Sequence, residues 1–373
     1  MAGPAPNPEG PELFIGLMSG TSLDGVDAVL ADFASGSPCV LAHVHRPFPA
    51  EFRDELAALT VSGADEIERS GRAAVRLADL YAECVRDTLA AARRSAAEIR
   101  AIGAHGQTIR HRPEAGFSAQ LNAPGRLAEA TGIDVVADFR NRDIAAGGQG
   151  APLVPAFHAA AFASPTPRVV VNIGGISNIT FLSGDEGATR GFDCGPGNVL
   201  LDMHVARHRG ETFDRGGAFA ATGQVDDALL ERLLAEPFLQ TAPPKSTGRE
   251  LFSAHWLDAV LQGFNVPAAD IQRTLTEFSA RCIADAITRW CGPAQDVVVC
   301  GGGARNAILV RSLQAAVAPR AVQLSDAIGI PHDQVEALAF AWLARQCLRR
   351  EPGAIAAVTG ARGARVLGAI YPR

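Results

Sequence analysis

The sequence contains no apolar run of the ~18 or more residues that a membrane-spanning helix needs, so no span is expected. Nor is there an excess of basic charge: 34 Lys plus Arg stand against 40 Asp plus Glu, a net charge of −6. That balance gives no general attraction for nucleic acid or for an anionic membrane surface. The seven cysteines include no pair at C-x-x-C spacing, and an odd count in a chain of 373 residues makes a poor disulfide framework. Zinc-knuckle and thioredoxin readings therefore fall, and reduced thiols in a cytoplasmic protein are the expectation. The opening MAGPAPNPEGPE lacks the basic patch and apolar stretch of a signal peptide, so residues 1–12 read as a disordered leader. Two common nucleotide signatures are missing as well. Lys245-Ser246 has no preceding glycines to make G-x-x-x-x-G-K-[ST], and no G-x-G-x-x-G occurs. Any nucleotide site must be built another way.

What is present suggests two domains, at ~100–200 residues each. Hydrophobic residues make up 47%, enough for each half to bury a core. From Leu13 to Phe33 the chain reads LFIGLM, SGTSLDG, VDAVLADF: strand, polar loop, strand. Helical spacing follows from about Asp65 to Arg94, carried by Ile67, Leu77, Leu80, Tyr81, Cys84 and Leu89. IRAIGAH and GIDVVADF are short strands, and residues 141 to 168 are loop and helix. RVVVNIGGISNITFL then repeats the strand–turn–strand opening. The recurrence divides the chain into 13–165 and 166–373, with the last segment free to pack back on the first half. In the second half Leu275, Phe278, Cys282, Ile283, Ala286, Ile287 and Trp290 form one apolar stripe. A strand ending in glycines, DVVVCGGGARN, and a helix, QVEALAFAWLARQCL, complete an α/β pattern.

Four segments carry candidate chemistry. In MSGTSLDGVD, Gly20 and Gly25 allow tight backbone geometry, and Ser19, Thr21 and Ser22 can donate to phosphate oxygens. Asp24 and Asp27 can hold Mg²⁺; the same residues also make an ordinary hairpin turn. Gly174-Gly175 ends a strand where a phosphate can approach the backbone. Gly301, Gly302 and Gly303 end another, in the usual ligand crevice of open α/β sheets, and three glycines exceed what a tight turn needs. In GFDCGPGNVLLD, Asp193 precedes a sharp turn and a helix that Asn198 is placed to cap. The helix N-terminus suits a phosphate, and Asp193 either takes a proton from a nucleophile or braces the turn. His204 and His208 lie at i, i+4, but with no glutamate as in H-E-x-x-H they read as a solvated helix face.

MSGTSLDGVD, AHGQTIRHRP, DFRNRDIAAGGQGAPLVP, VNIGGISNIT, GFDCGPGNVLLD, PKSTGRELF, CGGGARN, EALAFAWLA and VTGARGARVLGAIYP occur in this order over most of the chain. Together they closely resemble the anhydro-N-acetylmuramic acid kinase family. The resemblance implies a two-domain actin-like (ribonuclease H-like) α/β fold with a central nucleotide cleft. It implies ATP as co-substrate with Mg²⁺, a homodimer, and coupled hydrolysis and phosphorylation of an anhydro sugar in cell-wall recycling. Asp193 is then the general base. The ATP-binding set is Gly20, Thr21, Ser22, Leu23, Asp24, Gly25, Val26, Asp27, Gly174, Gly175, Gly195, Gly301, Gly302, Gly303 and Asn306. His105, Gln107, Asp138, Arg140 and Asn172 are candidates for the sugar, and Asp24 and Glu336 for the metal. The loop Lys245 to Glu250 is expected to approach the sugar or the nucleotide. The alternative is another hexose or amino-sugar kinase on the same scaffold.

Overall fold

The structure, a computed structural model, describes residues 10–373 except Thr21, residues 185–188, Arg249 and Pro293. Most of the expected leader, residues 1–9, lies outside the described residues. Its end is ordered: Glu12 is buried and ion-paired at 3.0 Å with both Arg345 and Arg349. Two compact units result. One runs to Ala161 and resumes over Gln334–Arg373; the other is Phe162–Asp333.

In the first unit β1 (Leu13–Met18), β2 (Gly25–Asp32) and β3 (Cys39–Pro47) form an antiparallel meander. β4 (Ile99–Ala104) then joins β1 in parallel; β5 (Gln107–Arg112) and β6 (Phe117–Leu121) make a separate ribbon. β7 (Val135–Ala137) runs parallel to β4. In the second unit β8 (Arg168–Ile173), β9 (Ile176–Leu182) and β10 (Arg190–Pro196) form the same meander. There β11 (Asp296–Cys300) is parallel to β8, and β12 (Ala321–Leu324) to β11. β13 (Ala369–Tyr371) returns to the first sheet, antiparallel to β7. The orders are β13-β7-β4-β1-β2-β3 and β10-β9-β8-β11-β12. Apart from β13 the two sheets share one topology, so the repeated hairpin in the sequence marks a repeated fold.

Local sequence explains the layers. The first five residues of β1 are all buried, as a continuous apolar run in a sheet covered on both faces should be. The edge strand β3 alternates exposed with half-buried positions instead. Helix α1 (Glu66–Ala92) buries Ala73, Leu77, Tyr81, Cys84 and Val85. Ile67, counted in the apolar stripe, is 92% exposed, because burial along this helix begins only at Ala73.

The second unit carries α2 (Val199–Arg209), α3 (Ala268–Trp290) and α4 (Ala307–Val317). α3 starts seven residues before the expected stripe. Its first turns bury Gln272 and Thr274, polar side chains that an apolar period does not register. Helix α5 (Val335–Arg349) lies directly on β1 and β4. A Cβ on Gly16 would stand 1.8 Å from the Ala337 carbonyl oxygen, and one on Gly103 2.0 Å from that of Phe340. FIGLM and AIGAH thus have glycine where a helix must touch the sheet. For that reason the chain from Gln334 on, numbered with 166–373 but left free to pack back on the first half, packs in the first unit. Among the described residues no helix is long and apolar enough to cross a membrane.

Candidate active site

The turn between β1 and β2 is fixed from below. Ser19, expected to meet phosphate, is buried: its hydroxyl bonds the Tyr81 hydroxyl at 2.9 Å and donates to the Gly106 carbonyl at 3.1 Å. Leu23 adopts φ 59°, and its N–H donates to the Gly20 carbonyl at 3.2 Å. Gly25 abuts the Arg46 carbonyl and Val26 is in the core, so neither offers a side chain to a ligand. Asp27 is also removed from the expected metal set. Burial alone would raise its pKa, but His43 Nε2 at 2.9 Å and His45 Nδ1 at 3.0 Å hold it below the ordinary value. Asp24 remains exposed, and the Ser22 hydroxyl donates to it at 2.8 Å. Thr21 lies outside the described residues.

Below that turn, still in the first unit, several expected sugar residues come together. Gln107 is buried at the start of β5; its Nε2 donates to the Gly20 carbonyl at 3.1 Å, and its Oε1 has no partner. Arg140 donates through Nη1 to the Gly150 carbonyl at 2.8 Å, and its Nη2 lies 2.9 Å from His105 Nε2. Burial pushes Arg140 down to about 10, partly countered by the Glu336 carboxylate on α5. Burial, then the Arg140 charge, pushes His105 down to about 3, so its ring is neutral and Nε2 accepts. The Arg140 Nε–H is buried without a partner. Arg140 thus keeps a buried unmatched donor and Gln107 a buried unmatched acceptor. Asp138 does not join them. It sits at φ 60°, accepts from Asn141, and lines a different cavity of about 670 Å³ with Arg142, Cys347 and Arg350.

In the second unit β10 bulges between Asp193 and Gly195. Gly195, expected at ATP, instead lets the strand pass Cys282 of α3, where a Cβ would come within 2.9 Å. The Asp193 N–H donates to the Lys245 carbonyl at 3.1 Å, and its Oδ2 accepts the Thr247 N–H at 3.0 Å. Burial, aided by the Glu250 carboxylate, pushes Asp193 up to about 6 against the Thr247 N–H and the Lys245 charge. A carboxylate of that strength is ionised at neutral pH, yet far more basic than an ordinary aspartate.

The turn into the helix after Asp193 spends part of its amides internally. The N–H groups of Gly197, Asn198 and Val199 donate to the carbonyls of Gly174 and Gly175 at 2.8 to 3.1 Å. Asn198 makes no side-chain cap; its Nδ2 reaches the Ile173 carbonyl at 3.4 Å.

The three glycines after β11 divide by role. Cβ atoms on Gly301 and Gly303 would lie 2.3 Å from Asn172 Oδ1 and 2.2 Å from Ile173 Cγ2, so both are needed for packing against β8. Gly302 faces open space, its nearest neighbour being Asn198 at 4.0 Å. Asn172 is buried beside Gly301, and Asn306 caps α4 by accepting from Ile308 and Leu309, both at 3.1 Å. Sequence reasoning missed a cavity of about 430 Å³ lined by Arg273 and Glu277 of α3 and by Ile308, Arg311 and Ser312 of α4. Its residues are common types scattered over separate helices, so nothing in their spacing marks it. His204 is not solvated as expected: it is buried, its Nδ1 2.8 Å from Gln272 Oε1. No group of three or more metal-ligating side chains occurs among the described residues.

Two units with the same 3-2-1-4-5 sheet, each opening on a hairpin loop, define an α/β protein of the actin-like ATPase and sugar kinase class. The description of the family "Anhydro-N-acetylmuramic acid kinase" matches residues 12–373. The anhydro-N-acetylmuramic acid kinase of Bordetella petrii is 58% identical over 365 residues, 96% of each chain. That of Cupriavidus metallidurans is 53% identical over 377 residues, 98% of this chain and 99% of its own. A ROK family glucokinase from Streptomyces griseus, solved with glucose and AMPPNP, is similar at 14% identity and a TM-score of 0.41, covering 90% of this chain and 99% of its own. The chain belongs to the anhydro-N-acetylmuramic acid kinase family.

Proposed function

We propose that this chain hydrolyses the internal ether of 1,6-anhydro-N-acetylmuramic acid and phosphorylates O6 with ATP, yielding N-acetylmuramic acid 6-phosphate and ADP for cell-wall recycling. Family membership over residues 12–373 supports the activity, and Asp193 is the observation that carries the mechanism. The anhydro sugar has no free 6-hydroxyl to deprotonate, so a base must act at C1. Water attacks C1 and gives its proton to Asp193. The C1–O6 bond breaks, and O6 takes the γ-phosphoryl group as ADP leaves. Phosphoryl transfer itself needs positioning and charge stabilisation more than covalent chemistry.

Arg140 takes the lactyl carboxylate, and Gln107 Oε1 accepts from a sugar hydroxyl. The unmatched Nε–H of Arg140 and Oε1 of Gln107 support this reading. The backbone of the Gly20 turn and, separately, the loops at Gly174-Gly175 and Gly302 are each candidates to meet ATP phosphates. The cavity beside Arg273 and Ser312 has room for the nucleoside. Asp24 suits a magnesium ion that arrives with ATP, since Mg²⁺ is usually held by one or two carboxylates plus substrate phosphates. Such an ion would neutralise charge on the β- and γ-phosphates. Glu336, beside Arg140, is the second candidate for it. Six of the seven cysteines are buried thiols, which suits a reducing, cytoplasmic setting. A homodimer completes the reading, to be checked by sedimentation.

The test is Asp193→Asn. Loss of a general base costs ~10²–10⁴-fold in rate. We expect kcat on the anhydro sugar to fall in that range while calorimetric binding of ATP and sugar is retained. A well-folded Asp193→Asn enzyme with near-normal kcat overturns the assignment.

A further inference from the structure

Of the 34 lysine and arginine side chains all but one are arginine; the exception is Lys245. The two types differ physically: lysine offers a compact ammonium with rotatable donors, arginine a planar fork. Lys245 uses that compactness. Its Nζ donates to the carbonyls of Phe238 at 3.2 Å and Leu239 at 3.3 Å, and lies 4.6 Å from the centre of the Phe238 ring. No carboxylate forms an ion pair with it among the described residues. The ammonium thus pegs its loop to the turn Pro237–Gln240.

The main chain of that loop lies against Asp193. The Lys245 carbonyl accepts the Asp193 N–H at 3.1 Å, and two residues on, the Thr247 N–H meets the Asp193 carboxylate at 3.0 Å. Glu250, on the same loop, brings a like charge towards that carboxylate. Among the described residues, the other titratable groups that act on Lys245 or Asp193 are Cys194 on β10, and Cys282 and Arg289 on α3, with Asp285 acting on Cys282. Both thiols are held neutral by burial. The residue opposite Asp193 on β9 is Asn178, which carries no charge.

We infer that Lys245 is a positioning residue for Asp193: its side chain holds the loop so that the Thr247 N–H meets the carboxylate, and Glu250 opposes it from the same loop. The inference rests on Asp193 being the base. It gives the two charges opposite signs of effect, which a merely structural loop would not. An opposite charge or a hydrogen bond to the ionised form favours that form, and a like charge disfavours it.

The test is the pH profile of kcat/KM on the anhydro sugar with saturating ATP, for the full chain and for Lys245→Met, Lys245→Arg and Glu250→Gln. Methionine keeps an apolar stem against Phe238 but loses the charge. In Lys245→Met the acid limb should move up by about one pH unit. Lys245→Arg should recover part of that displacement, and Glu250→Gln should move the limb down. Limbs that stay fixed, or that move the same way in Lys245→Met and Glu250→Gln, overturn the inference. If Lys245→Met does not fold, reductive ¹³C-dimethylation of the native chain labels one side-chain amine, that of Lys245, beside the α-amine. Its resonance should titrate with the acid limb and stop doing so in Asp193→Asn; a resonance indifferent to Asp193 overturns the inference. The two readings fail separately. An active Asp193→Asn removes the base itself, whereas an inactive Asp193→Asn beside an unmoved Lys245→Met limb removes only the role of Lys245.

Discussion

Folding makes the Asp193 carboxylate harder to ionise than it is in the unfolded chain, which links stability to pH. Its pKa rises from an ordinary 3.8 to about 6 on folding, burial being the main cause. Between those values the folded state binds more protons than the unfolded one. The stabilising effect is complete below the unfolded value and lost as pH rises through the folded value. At about 1.4 kcal/mol per pH unit, the rise from 3.8 to about 6 sets a ceiling of about 3 kcal/mol. Asp193→Asn removes the buried charge and keeps an acceptor for Thr247. It should therefore melt at a higher temperature than the parent at pH 7.5 and show no gain at pH 3.5. A lower Tm at pH 7.5 would instead return Asp193 to the role of a turn brace. Arg140→Gln should raise KM for the anhydro sugar by roughly 10–100-fold, the worth of a charge-assisted hydrogen bond, with a smaller change in kcat. Arg140→Lys should not restore it. Steady-state kinetics separate the two parameters. At this scale the sequence showed which residue types stood at Asp193 and Arg140, but not what holds them. Thr247 is 54 positions from Asp193 and Gly150 meets Arg140 through its backbone, so neither contact leaves a mark in local spacing.

The elements that build the site are strands ending in glycine. All three strand–glycine segments were legible, because an apolar run broken by glycine has few other meanings. Which glycine faces a ligand was not. Gly301 and Gly303 are required by packing on β8, and only Gly302 is open. That distinction depends on β8 and β11 being neighbours, a pairing of strands more than a hundred residues apart. Gly303→Ala should destabilise the chain by ~1–3 kcal/mol through overpacking on Ile173. Gly302→Ala should melt like the parent yet bind ATP more weakly. Denaturant unfolding paired with calorimetry distinguishes them; a normal ATP affinity in Gly302→Ala removes this loop from the nucleotide site. The turn into the helix after Asp193 shows the same dependence: the N–H groups of Gly197, Asn198 and Val199 are spent on the carbonyls of Gly174 and Gly175, partners that helix propensity alone does not reveal.

For the molecule as a whole, the repeated hairpin opening disclosed the two sheets, but the return of the chain to its first unit depends on fit. The sequence left the last segment free to return to the first half, but an apolar helix such as α5 does not itself name the face that receives it. The glycines of β1 and β4, some 240 to 320 residues earlier, are what receive it. A chain ended after Asp333 should leave the β1 and β4 face uncovered. Hydrogen exchange of β1 and β4 amides should then become fast while β8 and β11 stay protected; protection of β1 without α5 would contradict the packing described. The chemistry assigned to the whole protein is tested most directly by offering it, with ATP, two sugars in parallel and weighing the products. One is 1,6-anhydro-N-acetylmuramic acid; the other is N-acetylmuramic acid, which carries a free 6-hydroxyl. The expected result is a 6-phosphate formed from the anhydro sugar with one ADP per product, its mass including one added water, and little or none from the reducing sugar. Efficient phosphorylation of the reducing sugar with the anhydro sugar left intact would contradict it and make the chain an ordinary hexose kinase.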